Sequence, residues 1–527
     1  MSLRVIALGL VACMATAPVW AQNSSAPSVQ PVQTSGRSRV LLSGETTIKL
    51  DTLLTKEQEN ELLADSNSIF KFASKDTQLP IKKQVKKVFL SREEVNKVLR
   101  DKFEEDKGNK RMERSELVLK KFGLLDQDFK LRPFLLSLLT EQIAGFYDNK
   151  TKTMNLLNWV PIDEQKPVMA HELTHALQDQ YVDLEKWEDP QPDGLAKNVS
   201  EDNIHIQTDE AGTVREAVLE GQAMVSFADK ALEDNGHPGK TLKDFPEMGE
   251  MLANGAGDMG DSPVLSRAPL ILQQALLFPY TSGLAFEQAV LTKYGTEKAF
   301  KGMLDSPPSS TMEIMHPDQY IDHAAVPFLV MPDVHPALKA AGYEPYDVGV
   351  MGELDVRMTA ELFGGKPLAE ALAPAWNGGI YYAAQRTNAS EAEKGTTASL
   401  GLIYLSRWKN EDSARNYLKI FEEQMPRQYS SLKERKTDET GDDEVVFSTK
   451  EGDVLLAQHG NTVWVSEGFD LALARKLEQN VEGAQGTGPM RIASSDSGSK
   501  ESVPAHELMG GVSQWLGSFG VMKAGLK

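Results

Sequence analysis

Apolar residues recur at helical spacing from about Leu50 to Ala144. Ser91 and Glu94 form a capping box ahead of Val95, Val98 and Leu99, so a helix starts there. Leu135 to Ile143 continues as an apolar helix. From Phe146 to Trp159 the pattern changes: Asp148-Asn149-Lys150 reads as a turn and Thr153 to Leu157 as a short strand, together a hairpin. Helical spacing returns from Asp163 or Glu164 to Tyr181, with Pro167 in the first turn, where its missing N–H costs little. Another helix is predicted from about Thr213 to Glu233. Between these two, residues 186–212 are rich in Asp, Pro and Gly and read as an acidic loop. Residues 268–286 carry no charge, but Pro269, Gln273, Gln274 and Pro279 interrupt them. The run therefore predicts a buried helix ending at Pro279 rather than a membrane span. Helical signals continue through Ser282–Tyr294 and Thr296–Leu304, up to the Pro307-Pro308 break.

Beyond about residue 375 the pattern becomes α+β, with strand-like runs between helices. Strands are predicted at Ile380–Gln385, Ala398–Ser406, Val445–Thr449, Val454–His459 and Thr462–Ser466, with turns at Gly452-Asp453 and Gly460-Asn461. Helices are predicted over Glu411–Gln424 and Asp470–Gln479. The expected class is α+β: a mainly helical domain with a short sheet, then a smaller antiparallel sheet with helices on one side. The boundaries that follow are a leader-like start (1–21), a Ser/Pro/Gln-rich flexible stretch (22–49) and a helical N-terminal region (50–130). A central domain (131–330), a connector (331–374), the α+β domain (375–481) and a Gly/Ser-rich linker and tail (482–527) complete the chain.

The start reads as a secretory signal: Arg4, an apolar stretch from Val5 to Ala17, and Val19-Trp20-Ala21 before Gln22. A periplasmic or secreted protein follows. A competing reading takes Leu10-Val11-Ala12-Cys13 as a lipobox with Cys13 lipidated, but the apolar segment before it would be short. Cys13 is the only cysteine, so no intramolecular disulfide forms, and thiol nucleophiles and cysteine-bound zinc are excluded from the mature chain. The net charge of −20 argues against nucleic acid or anionic membrane surfaces as partners.

The sharpest chemical signal is His171-Glu172-Leu173-Thr174-His175 within the predicted helix. His171 and His175 stand one turn apart on one face, so two imidazoles reach one ion, and zinc is the expected metal. Glu172 is rotated by about 100° from His171, placed to take a proton from a metal-activated water and pass it on. The alternative is a pair of solvated or core histidines, against which the apolar Val168, Met169, Leu173, Ala176 and Leu177 around the motif argue. A third ligand is needed. Glu220, in Glu216-Ala217-Val218-Leu219-Glu220-Gly221-Gln222-Ala223, is the best donor, with Gly221 and Ala223 letting its helix approach the first. Glu216 one turn earlier is the alternative ligand or a partner of a ligand histidine. His205 is the rival in a three-histidine site. His506-Glu507 lacks a second histidine and reads as chance, as does the Glu-Gly step at Glu467-Gly468.

The stretch from His171 to Ala176 followed by Asp179 resembles the active-site helix of thermolysin-like gluzincins. Leu219-Glu220-Gly221-Gln222-Ala223 is similar to the Glu-Gly-x-Ala step that supplies the third ligand in gluzincin aminopeptidases. Gly145-Phe146-Tyr147-Asp148, Phe278-Pro279-Tyr280, Pro307-Pro308-Ser309-Ser310-Thr311 and His316-Pro317-Asp318-Gln319-Tyr320 extend the likeness, over roughly residues 140–325, to poorly characterised bacterial exported metallopeptidases. The chain departs from thermolysin in a longer gap between His175 and Glu220, and Met224 stands where an Asp would follow the ligand Glu. The resemblance implies a zincin-like catalytic domain and an edge strand beside the zinc helix on which a peptide adds, with Met154–Leu157 as candidate.

An oxyanion donor is also required. His316, Tyr320 and Tyr280 are the choices, and His316 and Tyr320 are preferred. The expected function is zinc-dependent hydrolysis of a peptide or protein substrate. Non-protein amides, cell-wall peptides, or a non-catalytic metal-containing periplasmic binding protein are the alternatives. Glu188, Asp189, Asp193, Asp202, Asp209 and Glu210 raise calcium as a further option, without EF-hand spacing; a solvated loop is preferred.

Overall fold

The computed structural model describes residues 53–103, 106–187, 195–245, 247–248, 263–435, 444–486 and 490–492. The leader, Cys13, the 22–49 stretch, Glu188, Asp189, Asp193 and His506 lie outside them. Among the described residues no helix is long and apolar enough to cross a membrane.

Helix α1 (Lys56–Thr77) starts from a Thr55/Gln58 capping box and buries Leu62, Ile69, Phe70 and Ala73. The Ser91/Glu94 box opens α2 (Arg92–Phe103), as its spacing predicts. Helices α3 (Asp106–Lys121) and α4 (Leu131–Gln142) follow. Strand β1 (Lys86–Leu90) pairs in parallel with β3 (Thr153–Leu157), and β2 (Gly145–Asp148) pairs antiparallel on the other side, giving the order β1-β3-β2. The hairpin is where the sequence puts it. However, β3 is the central strand, so Met154–Leu157 is not an edge; that position belongs to β2.

Helix α5 (Ile162–Val182) packs on β2, on α1 and on α7 (Ala211–Asp234). The segment read as an acidic loop instead contains helix α6 (Val199–Thr208), whose Asn198 side chain accepts from the amides of Ser200 and Glu201. That N-cap, followed by Glu201 and Asp202 in the first turn, is enough to start a helix in acidic sequence. Helix α8 (Leu270–Tyr294) does not stop at Pro279 but runs through it. Proline removes one backbone donor; the face of α8 around it is nonetheless buried along α7, and this packing holds the helix continuous.

The larger sheet is antiparallel, in the order β5-β6-β7-β11-β10-β9-β8. Its strands are β5 (Tyr343–Val350), β6 (Trp376–Arg386), β7 (Leu400–Trp408), β8 (Lys433–Glu434), β9 (Glu444–Thr449), β10 (Gly452–His459) and β11 (Thr462–Phe469). β5 comes from the segment read as a connector. Gly460-Asn461 is the β10–β11 turn, but Gly452 pairs with Thr449, so Lys450-Glu451 forms the preceding turn. Helices cover both faces, not one. Leu402 and Tyr404 join the core under α9 (Glu411–Gln428), whereas Ile403 and Leu405 join a second core with Leu473 and Leu477 of α10 (Leu471–Gly483). β7 is accordingly buried along its whole length. Within the Gly/Ser-rich linker, Met490–Ile492 forms β12 against β4 (Val326–Phe328).

Candidate metal centre

His171 and His175 lie one turn apart on α5, and Glu220 faces them from α7; all three are buried. His171 Nε2 is 3.1 Å and His175 Nε2 is 3.7 Å from Glu220 Oε2. One donor atom from each residue lies within 4.8 Å of the others. A tetrahedral ion with bonds of about 2.0–2.1 Å holds its donors roughly 3.3 Å apart. Two imidazole nitrogens and a carboxylate oxygen at these separations fit a single metal ion.

The trio stands in a built polar surround. Gln222 donates from Nε2 to the Ala299 and Phe300 carbonyls at 2.8 and 3.0 Å. Its Oε1 therefore accepts from Gln178 Nε2, at 2.9 Å. Gln178 then turns Oε1 towards His175 Nδ1, at 2.8 Å. Two backbone carbonyls thus fix every donor direction in the chain and put the His175 proton on Nδ1, which leaves Nε2 as the ligand atom. The sequence gives one hint of this: Gln178 is three residues after His175, on the same helix face.

Glu172 is fully buried and accepts the Tyr147 amide of β2 at 2.8 Å. The Tyr147 hydroxyl donates to Asp179 at 2.7 Å, and Asp179 also takes Lys152 at 2.8 Å, so the end of the hairpin is bound to the motif helix. Gly145 of β2 leaves just enough room, since an added Cβ would stand 3.2 Å from Val168. The strand beside the metal helix is β2, and its outer edge is the one facing Glu172.

The third ring at the site is Tyr280. It stacks on His171 with centroids 6.4 Å apart and 15° between planes. Burial, then the charges of Glu220, Glu216 and Glu172 and a hydrogen bond to Glu220, push the phenol well above its ordinary range, so it stays a donor. Its position comes from the passage of α8 through Pro279 and from the closeness of α7 and α8. A Cβ on Gly221 would strike the Gly283 carbonyl, and one on Gly283 the Ala217 carbonyl. Gly221 therefore admits α8, not α5 as its place in the sequence suggests.

The two preferred oxyanion donors are engaged elsewhere. His316 pairs through Nε2 with Glu353 at 2.6 Å, and Tyr320 packs edge-on against Phe286 and donates to the Ser306 carbonyl at 3.3 Å. Glu216 is buried one turn before Glu220 and close enough to Tyr280 to act on its charge. His205 is buried on α6 and lines a small cavity with Asp202, Asp347 and Tyr382. The described acidic residues also go separate ways. Asp202 binds His335 at 2.8 Å, Asp209 accepts the Val350 amide at 2.7 Å, and Glu210 takes the Ser310 hydroxyl at 2.8 Å. Glu467 is a buried acceptor for Tyr429 and Gln428.

No family model, curated protein or solved structure matches the chain. What the site is for rests on its own geometry.

Proposed function

We propose that this protein is an exported zinc-dependent peptidase of the gluzincin type, with His171, His175 and Glu220 as ligands. The observation that carries the reading is a buried two-imidazole, one-carboxylate donor set with a carboxylate, Glu172, next to the first ligand in sequence and fixed by a backbone amide. A site that only held a metal would have no use for Glu172. Zinc in this place would polarise the scissile carbonyl and make a water acidic enough to attack near neutral pH.

Glu172 accepts the proton of the attacking water as the C–O bond forms, then passes it to the nitrogen as the C–N bond breaks. The Tyr147 N–H keeps the carboxylate aimed throughout. Tyr280, held protonated, donates to the oxygen that gains charge in the transition state, a role it takes over from His316 and Tyr320. An extended peptide laid along the outer edge of β2 would bring its carbonyl past Glu172. The leader-like residues 1–21 support an enzyme acting outside the cytoplasm.

The test is peptide-library digestion by wild type and Glu172→Gln, with metal content measured in both. Equal metal and a cleavage rate lower by roughly 10²–10⁴ in the variant is expected. Metal-bound protein that digests nothing in either form would instead mark a binding protein.

A further inference from the structure

A second group of metal-type donors lies in the sheet region, where the first reading gives no chemistry. His459 ends β10 just before the Gly460-Asn461 turn, and Glu478 and Glu482 stand one turn apart on α10. His459 Nδ1 is 2.9 and 3.0 Å from the two Glu482 oxygens and 3.9 Å from Glu478 Oε1. One atom from each residue lies within 4.8 Å of the others.

A surface ion pair between His459 and Glu482 would explain part of this. It does not explain Glu478, which is only 5 % exposed and whose Oε1, turned to the imidazole, has no hydrogen-bond partner. A carboxylate oxygen buried this way without a donor is costly. Arg475, the nearest fixed cation on α10, is already held by Glu444 at 2.8 Å.

We propose that His459, Glu478 and Glu482 form a second divalent-cation site that pins α10 to the β10–β11 hairpin. The imidazole nitrogen selects a borderline ion such as zinc over magnesium or calcium, which prefer oxygen alone.

The experiment is zinc stoichiometry on the untagged full chain after equilibrium dialysis, with melting temperature followed against added zinc. Wild type should hold two equivalents, and His459→Ala and Glu478→Gln one each. His175→Ala should also hold one, which separates the two sites: the second equivalent survives there even if the peptidase reading fails. Glu478→Gln should leave the metal-free melting temperature undiminished while losing the zinc-dependent rise of the second site, a split that a simple ion pair would not give. Unchanged stoichiometry in both His459→Ala and Glu478→Gln overturns the proposal, as does displacement of the second equivalent by millimolar calcium.

Discussion

The crossing of α5, α7 and α8 and the middle of the seven-stranded sheet are both buried, yet they are filled with opposite materials. At the crossing the interior holds His171, Glu172, His175, Gln178, Glu220 and Gln222. In the sheet it holds Trp376, Trp408, Trp464 and Tyr404, and Tyr417 of α9 packs its ring 4.5 Å from that of Trp408. Aromatic packing stabilises without directing anything, whereas buried polar groups are tolerated only where each finds a partner. The Gln222–Gln178–His175 chain is such an arrangement, and it ends on one of the three residues that could hold a metal. On the proposed function, one region carries the chemistry and the other holds it in place. Two strand carboxylates are buried in the sheet: Glu467 accepts from Tyr429 and Gln428, and Asp347 of β5 accepts from the Tyr381 hydroxyl.

The largest effect expected from this contrast is metal removal. A chelator should abolish peptide hydrolysis while the fluorescence of the sheet tryptophans keeps its buried, blue-shifted emission. A red shift on chelation would mean that the two regions are not separable. Next, Tyr280→Phe should lower kcat by roughly 10²–10³, about 2.7–4 kcal/mol, with metal content unchanged. Tyr320→Phe, whose hydroxyl meets only the Ser306 carbonyl, should change it little. The opposite ranking would return the oxyanion role to the His316–Tyr320 segment.

In the sheet, burial pushes Glu467 up to about 7, against the pull of Lys121, Tyr429 and Gln428. The unfolded chain ionises this group near its ordinary pKa, so the folded state binds more proton between about pH 4.5 and 7. The stability it supports is full below that window and falls as pH rises through it, by roughly 3 kcal/mol in all. Glu467→Gln should flatten this slope in urea unfolding measured across the range and leave activity intact. The smallest effect is Gly221→Ala, with an expected loss of about 1–3 kcal/mol as α7 and α8 are forced apart. Activity should fall with it, because Tyr280 and Glu220 sit on those two helices. A stable and active Gly221→Ala would show that the crossing tolerates a looser fit.

Much of this was legible along the chain. The i, i+4 histidines, the Ser91/Glu94 box and the short strand-like runs of β10 and β11 with the Gly460-Asn461 turn between them are local patterns that match helix or strand geometry directly. Glu220 was legible because few carboxylates lie in a second helix beside small residues. Tyr280 was among the candidates but ranked below His316 and Tyr320; Pro279 beside it reads as a helix stop, and only packing along α7 carries α8 past it. The Gln178–Gln222 chain spans two helices far apart in sequence, and nothing local marks glutamines as partners.

The sequence by itself determined the α+β class, the period of many of the elements and the two-histidine face of α5, because each depends on residues within a turn or two of one another; β1, α6 and β5 it missed. Tertiary structure decided that β2 and not β3 is the edge beside α5, that both faces of the large sheet are covered, that α8 is continuous, and that Tyr280 rather than His316 or Tyr320 stacks on His171. Each of these depends on which surfaces meet, and packing between distant segments can override a local signal worth only a few kcal/mol.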